Sequence, residues 1–429
     1  MRFTAVGDAL IQCRIQSDYA GISELKPYIM QGDARFFNLE TTLNREGECF
    51  ASQFSGGTYL RADPEVLDDL KLFGFNLTTF NNNHAMDFSY AGLLSTLKSL
   101  NASGFAHCGV GEDLEKASAP CYLDTDNGRV ALVSVNSSFD PSMLAGKKSR
   151  VYPGRPGVNG IRLDRVIKAP QEDIDYIRSL AASSLINVED DDSRAAGYLP
   201  PLPEGVAQFG EYMFTLSDRV EICETVKQED LNRVKATIDE ANANADYTII
   251  SFHTHNMDSK RLEDPPRFNV DFAHWCVDNG ANAFICHGPH LLRPIEVYKD
   301  SPIFYSLGDF ILELYSVPSA PEDFYAKYGL TSESSVEELL KTRSRNYTIG
   351  LMEDERMLRT VIPFWETENR KLKRLELLPV FLIKNGKKQE IGLPRIAKDT
   401  SFMNGLADMS KPFGVDIKPT DKEYFTCEW

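Results

Sequence analysis

Three things this 429-residue chain lacks narrow its reading at once. It has no apolar run long enough to span a bilayer, and Met1 leads straight into RFTAVGDA without the basic and apolar regions of a secretory leader. A cytoplasmic protein without stable membrane insertion is therefore expected. It also lacks positive charge: 46 Lys and Arg stand against 63 Asp and Glu, a formal charge of -17. Such a surface repels phosphate backbones and anionic headgroups, which excludes nucleic acid as a general partner. Finally, its eight cysteines (13, 49, 108, 121, 223, 276, 286 and 427) include no closely spaced pair of the kind that makes a zinc knuckle or a dithiol redox site. Small, buried, reduced thiols are the expectation. There is no internal repeat, no low-complexity tract and no segment that specifies an oligomeric state.

What the chain does have is alternation. Short β-branched and aromatic runs (RFTAV at 2–6, ARFFNL at 34–39, FNLTTF at 75–80, RVALVSV, YTIISF, AFIC, then EVY and IFYSL) alternate with segments of helical spacing. The helical segments fall around Ser23 to Tyr28, from Asp63 and Pro64 to Gly74, over Tyr90 to Ser103, Glu229 to Asn242 and Asn269 to Asn279. This is the signature of an α/β protein with strands buried between helical layers. From Asp140 to Gln228 the alternation fails among YPGRPG, LPPLPEG and the acidic run VEDDD, so an irregular insertion over the core is expected there. Past Leu351 come short strands (VIPFW, LKRLELLPVFLI) and a helix near Ile396 to Met409.

Polar residues able to bind metal stand at the ends of the apolar runs. Asp8 follows RFTAV and Gly7; Glu40 follows ARFFNL; Asn83, His84 and Asp87 lie in NNNHAMD after FNLTTF. His253 and His255 follow YTIISF, and His287 and His290 follow AFIC. Ligands of parallel α/β sheets bind outside the carboxyl ends of the strands, so these positions should converge although they are spread over almost 300 residues. Imidazole mixed with carboxylate and amide oxygen suits Mn, Fe or Zn better than calcium. A carboxylate among several histidines can bridge two ions. His107 and His274 lie outside the pattern and read as structural.

The same residues carry a family likeness. GDA at 7–9, NLE at 38–40, NNNHAMD at 81–87, GVG at 109–111, HTH at 253–255 and CHGPHLLRPIEVYKDSPIFYSLGDF at 286–310 resemble the capsule-synthesis (CapA, poly-γ-glutamate) family, a branch of the calcineurin-like metallophosphoesterases. The resemblance implies a four-layer αββα sandwich in residues 1–350, interrupted by the 140–228 insertion, with residues 351–429 as a β-rich extension packed on the core. It implies a divalent metal centre, with two ions, held by Asp8, Glu40, Asn83, His253, His287 and His290. It places His84 near the leaving group, and Asp87 is suited to orient His84. Where the wider superfamily has a ligand His, this chain has Leu10, so one ion is short of a nitrogen. His255 is then a replacement ligand, a substrate contact or a structural histidine with neither role.

Two functions are compatible with this pattern. One is a metal-dependent hydrolase, acting on a phosphoester or on an amide such as a γ-glutamyl bond, with Arg14, Arg267 and Arg293 as candidates to hold an anionic or glutamate-containing substrate. The other is a non-catalytic accessory protein in the synthesis of poly-γ-glutamate capsule or another cell-envelope polymer.

Overall fold

The computed structural model describes all 429 residues. They divide into two compact units, Met1–Gly160 with Asn232–Trp429, and Ile161–Leu231.

The larger unit is built on two sheets. In the first, Arg2–Leu10 lies parallel to Ala34–Leu39, followed outward by Leu77–Thr79 and Ala106–Cys108. On its other side Arg2–Thr4 pairs antiparallel with Arg359–Glu368, and Asp8–Leu10 pairs parallel with Asp309–Leu312. Lys371–Leu382 and the terminal hairpin Asp416–Pro419 and Phe425–Glu428 continue this sheet, so the C-terminal residues are strands of the core sheet. In the second, Gly128–Asn136, Tyr247–His253, Ala283–His287 and Ser301–Phe304 run parallel, edged by antiparallel Cys121–Thr125 and Ile295–Tyr298.

Period-two alternation decides which residues face which layer. Ala5 and Phe36 pack inward in one cluster with Leu132, Ile249 and Ile285 of the opposite sheet. Their neighbours Val6 and Phe37 pack outward against Leu25, Leu70 and Leu93 of the helices Ala20–Ile29, Val66–Phe73 and Ser89–Ser103. On the far side Phe252 and Phe284 meet Phe272 of the helix Arg267–Asp278, with ring centroids 5.2 and 6.1 Å away. The result is a four-layer αββα sandwich. The same alternation turns Ser251, His253 and His287 inward, toward the space between the sheets.

The smaller unit has more regular structure than its Pro and Gly clusters suggest. Leu163–Ala169, Tyr212–Leu216, Ala207–Phe209 and Glu221–Val226 form a four-stranded sheet on which the helix Gln171–Ser184 packs through Ile174. VEDDD lies in a helix, Val188–Ala195, with no buried residue. Three of its four acids, Glu189, Asp190 and Asp191, occupy the first turn, where the helix dipole favours negative charge. The C-terminal helix begins only at Phe402, because Pro394–Ile396 is a strand on Lys371–Leu382.

Candidate metal centre

The strand ends converge. Register alone aligns three of them: Asn38, Asp8 and Asp309 are neighbours across three parallel strands. Likewise His287 and Asn136 flank His253 in the second sheet. Gly7 and Gly308 permit the approach of the first pair, since a Cβ on Gly7 would lie 1.7 Å from the Gly308 carbonyl oxygen.

Around this seam Asp8 accepts from Asn38 Nδ2 at 2.6 Å and from the Gly288 amide at 2.8 Å. His287 Nδ1 is 3.5 Å from Asp8 Oδ1 and 2.8 Å from His253 Nδ1, while its Nε2 is 2.6 Å from Ser251 Oγ. His253 Nε2 stands 2.7 Å from Asn83 Oδ1, 3.2 Å from His255 Nε2 and 3.6 Å from Glu40 Oε1. His290 Nδ1 is 2.8 Å from Asp309 Oδ1. Three sets of donor atoms each fall within 4.8 Å: Asp8, His253 and His287; Glu40, His253 and His255; Asp8, His290 and Asp309.

Every ion pair made by Asp8, Glu40 and Asp309 is with an imidazole. Burial, then Asp8 and Asp309, pushes the Glu40 carboxyl well above its ordinary range. Burial, then the neighbouring imidazoles, pushes His253 and His255 well below theirs, and burial takes His287 down to about 4. His253, His255 and His287 are therefore neutral and their lone pairs available, whereas, against the opposing effect of burial, Asp309 and then Asp8 hold the proton of His290 on. Both oxygens of Glu40 and Oδ2 of Asp309 are buried without a hydrogen-bond partner. Each such atom costs about 1 to 3 kcal/mol unless something fills the gap. Unpaired carboxyl oxygens among imidazoles are the donor set of a divalent cation, and the residues present fit one.

His84 sits at the rim. Its Nδ1 is 2.7 Å from Asp87 Oδ2, and its Nε2 is 4.0 Å from Glu40 Oε1. Asp87 also accepts from the amides of Gly56 and Leu60 at 3.0 and 2.8 Å, which ties the loop through Gly56 to the pair.

The structure thus brings Asp8, Glu40, Asn83, His84, Asp87, His253, His255, His287 and His290 together. Arg293 lies close by: it is buried, its positive charge helps to hold His255 down, its Nε donates to the Leu262 carbonyl and its Nη1 has no partner. Arg14 and Arg267 are not brought in. The Arg14 fork is filled by Asp69 at 2.6 and 2.9 Å, and Arg267 is exposed, 3.8 Å from Asp271. Leu10 packs with Leu60, Leu291 and Leu312 in an apolar cluster, so nothing at that position faces the centre as a donor. His274 pairs with Glu296, as a structural histidine would. Sequence reasoning gave no role to Asp309, although it follows Gly308 after an apolar run just as Asp8 follows Gly7.

Residues 2–313 match the family model described as bacterial capsule synthesis protein PGA_cap. The chain belongs to that family. It is 29% identical to an uncharacterised protein of Sinorhizobium fredii, over 97% of this chain and 91% of that one. It is 21% identical to the capsule biosynthesis protein CapA of Bacillus anthracis, over 73% of this chain and 60% of that one. It is 26% identical to a "Probable polyglutamine synthesis accessory protein" of Mycobacterium tuberculosis, over 65% and 55%. A solved hypothetical protein from Thermus thermophilus overlaps with a TM-score of 0.40 at 9% identity, over 88% of this chain and 98% of that one, a likeness too slight to carry an argument. No helix is long and apolar enough to cross a membrane.

Proposed function

We propose that the chain is a metal-dependent hydrolase whose ions are held by Asp8, Glu40, Asn83, His253, His287 and His290, with His255 within reach of the same donors. Glu40 carries this reading: both oxygens of its carboxyl are buried without a hydrogen-bond partner among imidazoles, and at such a place the charged form persists only with a cation in the place of the proton. When bound, Mn, Fe or Zn ions supply Lewis acidity and a water of lowered pKa. The protein's own residues do the rest. Asp87 holds the proton of His84 on Nδ1, so that Nε2 faces the centre, where in its protonated form it delivers a proton to a leaving oxygen or nitrogen. Arg293, cationic and short of a partner, suits a phosphate or carboxylate group on the substrate. That chemistry fits a phosphoester, or an amide such as a γ-glutamyl bond, in an anionic substrate met in the cytoplasm.

The test is elemental analysis of protein purified without chelator, followed by assays on an aryl phosphate and a γ-glutamyl anilide. Metal-dependent turnover of either supports the reading. A relative described as an accessory protein favours a second one, in which the centre is a scaffold for polymer assembly. Metal-loaded protein inert on both substrate classes would favour that second reading.

A further inference from the structure

The centre holds one acid more than the sequence pattern accounts for. Asp309 is fully buried, and parallel register places it beside Asp8 on the neighbouring strand. Two carboxylates on adjacent strands of a parallel pair project to the same face about 5 Å apart. Only one oxygen of Asp309 is engaged, with His290 Nδ1 at 2.8 Å; the other is buried and bare. A hydrogen bond to His290 explains Oδ1 and leaves Oδ2 without a role. Uncompensated, a second buried carboxylate beside Asp8 works against folding, because neither acid has a Lys or Arg partner. Meanwhile the apolar packing of Leu10 leaves no donor at the end of the first strand beyond Asp8 itself.

We propose that Asp309 is a direct metal ligand, completing with Asp8 and His290 an oxygen-rich subsite in this chain. This rests on the metal centre described above. The other donors fall into two nitrogen-rich sets that share His253, one with His255 and Glu40 and one with His287 and Asp8. Two oxygens and one nitrogen favour a harder ion than two nitrogens and one oxygen do, so the subsites differ in preference: Mn²⁺ or iron at Asp309, Zn²⁺ at His253.

The competing role for Asp309 is to position His290 through Oδ1, and substitution separates the two. Asparagine keeps a carbonyl oxygen for His290 but loses the anionic ligand; alanine loses both. Asp309→Asn, Asp309→Ala and unaltered protein are stripped, then titrated separately with MnCl2 and ZnCl2, with stoichiometry read by elemental analysis and stability by thermal melting. A ligand role predicts that both variants lose Mn²⁺ affinity by tenfold or more while one Zn²⁺ per chain is kept. It also predicts that added Mn²⁺ raises the melting temperature of the unaltered protein more than that of Asp309→Asn, because a bound ion stabilises the folded chain according to its affinity. Near-normal Mn²⁺ binding by Asp309→Asn beside weakened binding by Asp309→Ala would overturn the proposal in favour of positioning. If the unaltered protein took up neither ion, the metal centre as a whole would fall, and this ligand with it.

Discussion

His84 Nδ1 and Asp87 Oδ2 lie 2.7 Å apart, and that contact decides which imidazole nitrogen faces the buried carboxylates. A histidine that gives its Nδ1 proton to a carboxylate presents Nε2 in a fixed orientation. His84→Asn should cut turnover about a hundredfold or more, the usual scale for a lost general acid, and leave metal content unchanged. Asp87→Asn should cost about 10- to 100-fold, by loosening His84 and with it the loop whose Gly56 and Leu60 amides Asp87 also holds. The check is kcat beside metal stoichiometry. Loss of metal in His84→Asn would make His84 a ligand.

Gly56 is a second test of the same pair. A Cβ there would lie 2.5 Å from Asn83 Nδ2 and 2.6 Å from His84 Nε2, closer than real Cβ contacts come. Gly56→Ala should therefore displace His84 or Asn83 and slow turnover at least tenfold, with overpacking costing about 1 to 3 kcal/mol. A Gly405→Ala control, in the helix Phe402–Ser410, meets no atom within 4 Å and keeps an ordinary backbone. If the two variants turned over equally fast, the loop would have no part in holding His84.

How much of this centre could be read in advance follows from where each residue lies. Asp8, Glu40, His253 and His287 each end an apolar run, and both the run and the rule about strand ends are visible in sequence. Asp309 also follows an apolar run, IFYSL, but in the fold it opens a four-residue strand instead of ending one, and its pairing with Asp8 crosses 300 residues. Gly56 is invisible in the chain order, because its closeness to His84 arises only when a loop folds back. The sheet in residues 161–231 escaped because its strands are short and half-exposed, giving weak alternation. The fates of Arg14 and Arg293 were undecidable from residue type, since the partner that fills or spares a guanidinium comes from elsewhere in the fold.

The imidazoles between the sheets predict metal-linked stability. His253→Ala and His287→Ala should each remove at least one ion per chain, since each deletes a nitrogen from the three-residue sets. In unaltered protein, metal at 100 times its Kd should add about 2.7 kcal/mol. Thermal melting with and without chelator measures this difference, which should shrink in both variants. An undiminished difference in both would remove the two histidines from the ligand set.

Glu313 predicts a pH effect unrelated to metal. Burial pushes its carboxyl up to about 7, although Oε2 accepts from the Gln12 and Cys13 amides at 2.6 and 2.9 Å. Unfolded, it titrates near the ordinary glutamate value of 4.5, so between those values the folded chain binds the proton that the unfolded chain has released. Its contribution is complete below 4.5, falls as pH rises through about 7, and then levels off. At 1.36 kcal/mol per unit the span is about 3 kcal/mol. Glu313→Gln, which keeps an acceptor for both amides but does not ionise, should lack that decline. Urea denaturation of both proteins from pH 4.5 to 8.5 reads it, and parallel profiles would contradict the assignment.

The unit Ile161–Leu231 should be dispensable for the centre. Every residue that supplies a donor lies in the other unit, before Gly160 or after Asn232. The ends of the excised stretch also lie side by side: Arg233 Nη2 donates to the Gly160 carbonyl at 2.6 Å and its Nε to Asn159 Oδ1 at 3.1 Å. A linker of a few Gly and Ser residues can therefore join Gly160 to Asn232, and closing so short a loop costs little entropy. Val234, Ile238 and Ala241, which anchor the helix that follows, are kept. The shortened chain should unfold in one cooperative transition, with a urea m-value scaled to its reduced size, and bind as many ions per chain as the full protein. A milder cut within Leu185 to Glu204 removes the helix with no buried residue but unpairs Gln208 from Asp190 and Arg194, so it should loosen only the small sheet. If residues 161–231 help to select substrate, relative kcat/KM among substrates will change while metal content does not. A deletion that abolished metal binding or left an uncooperative transition would show that this unit completes the core.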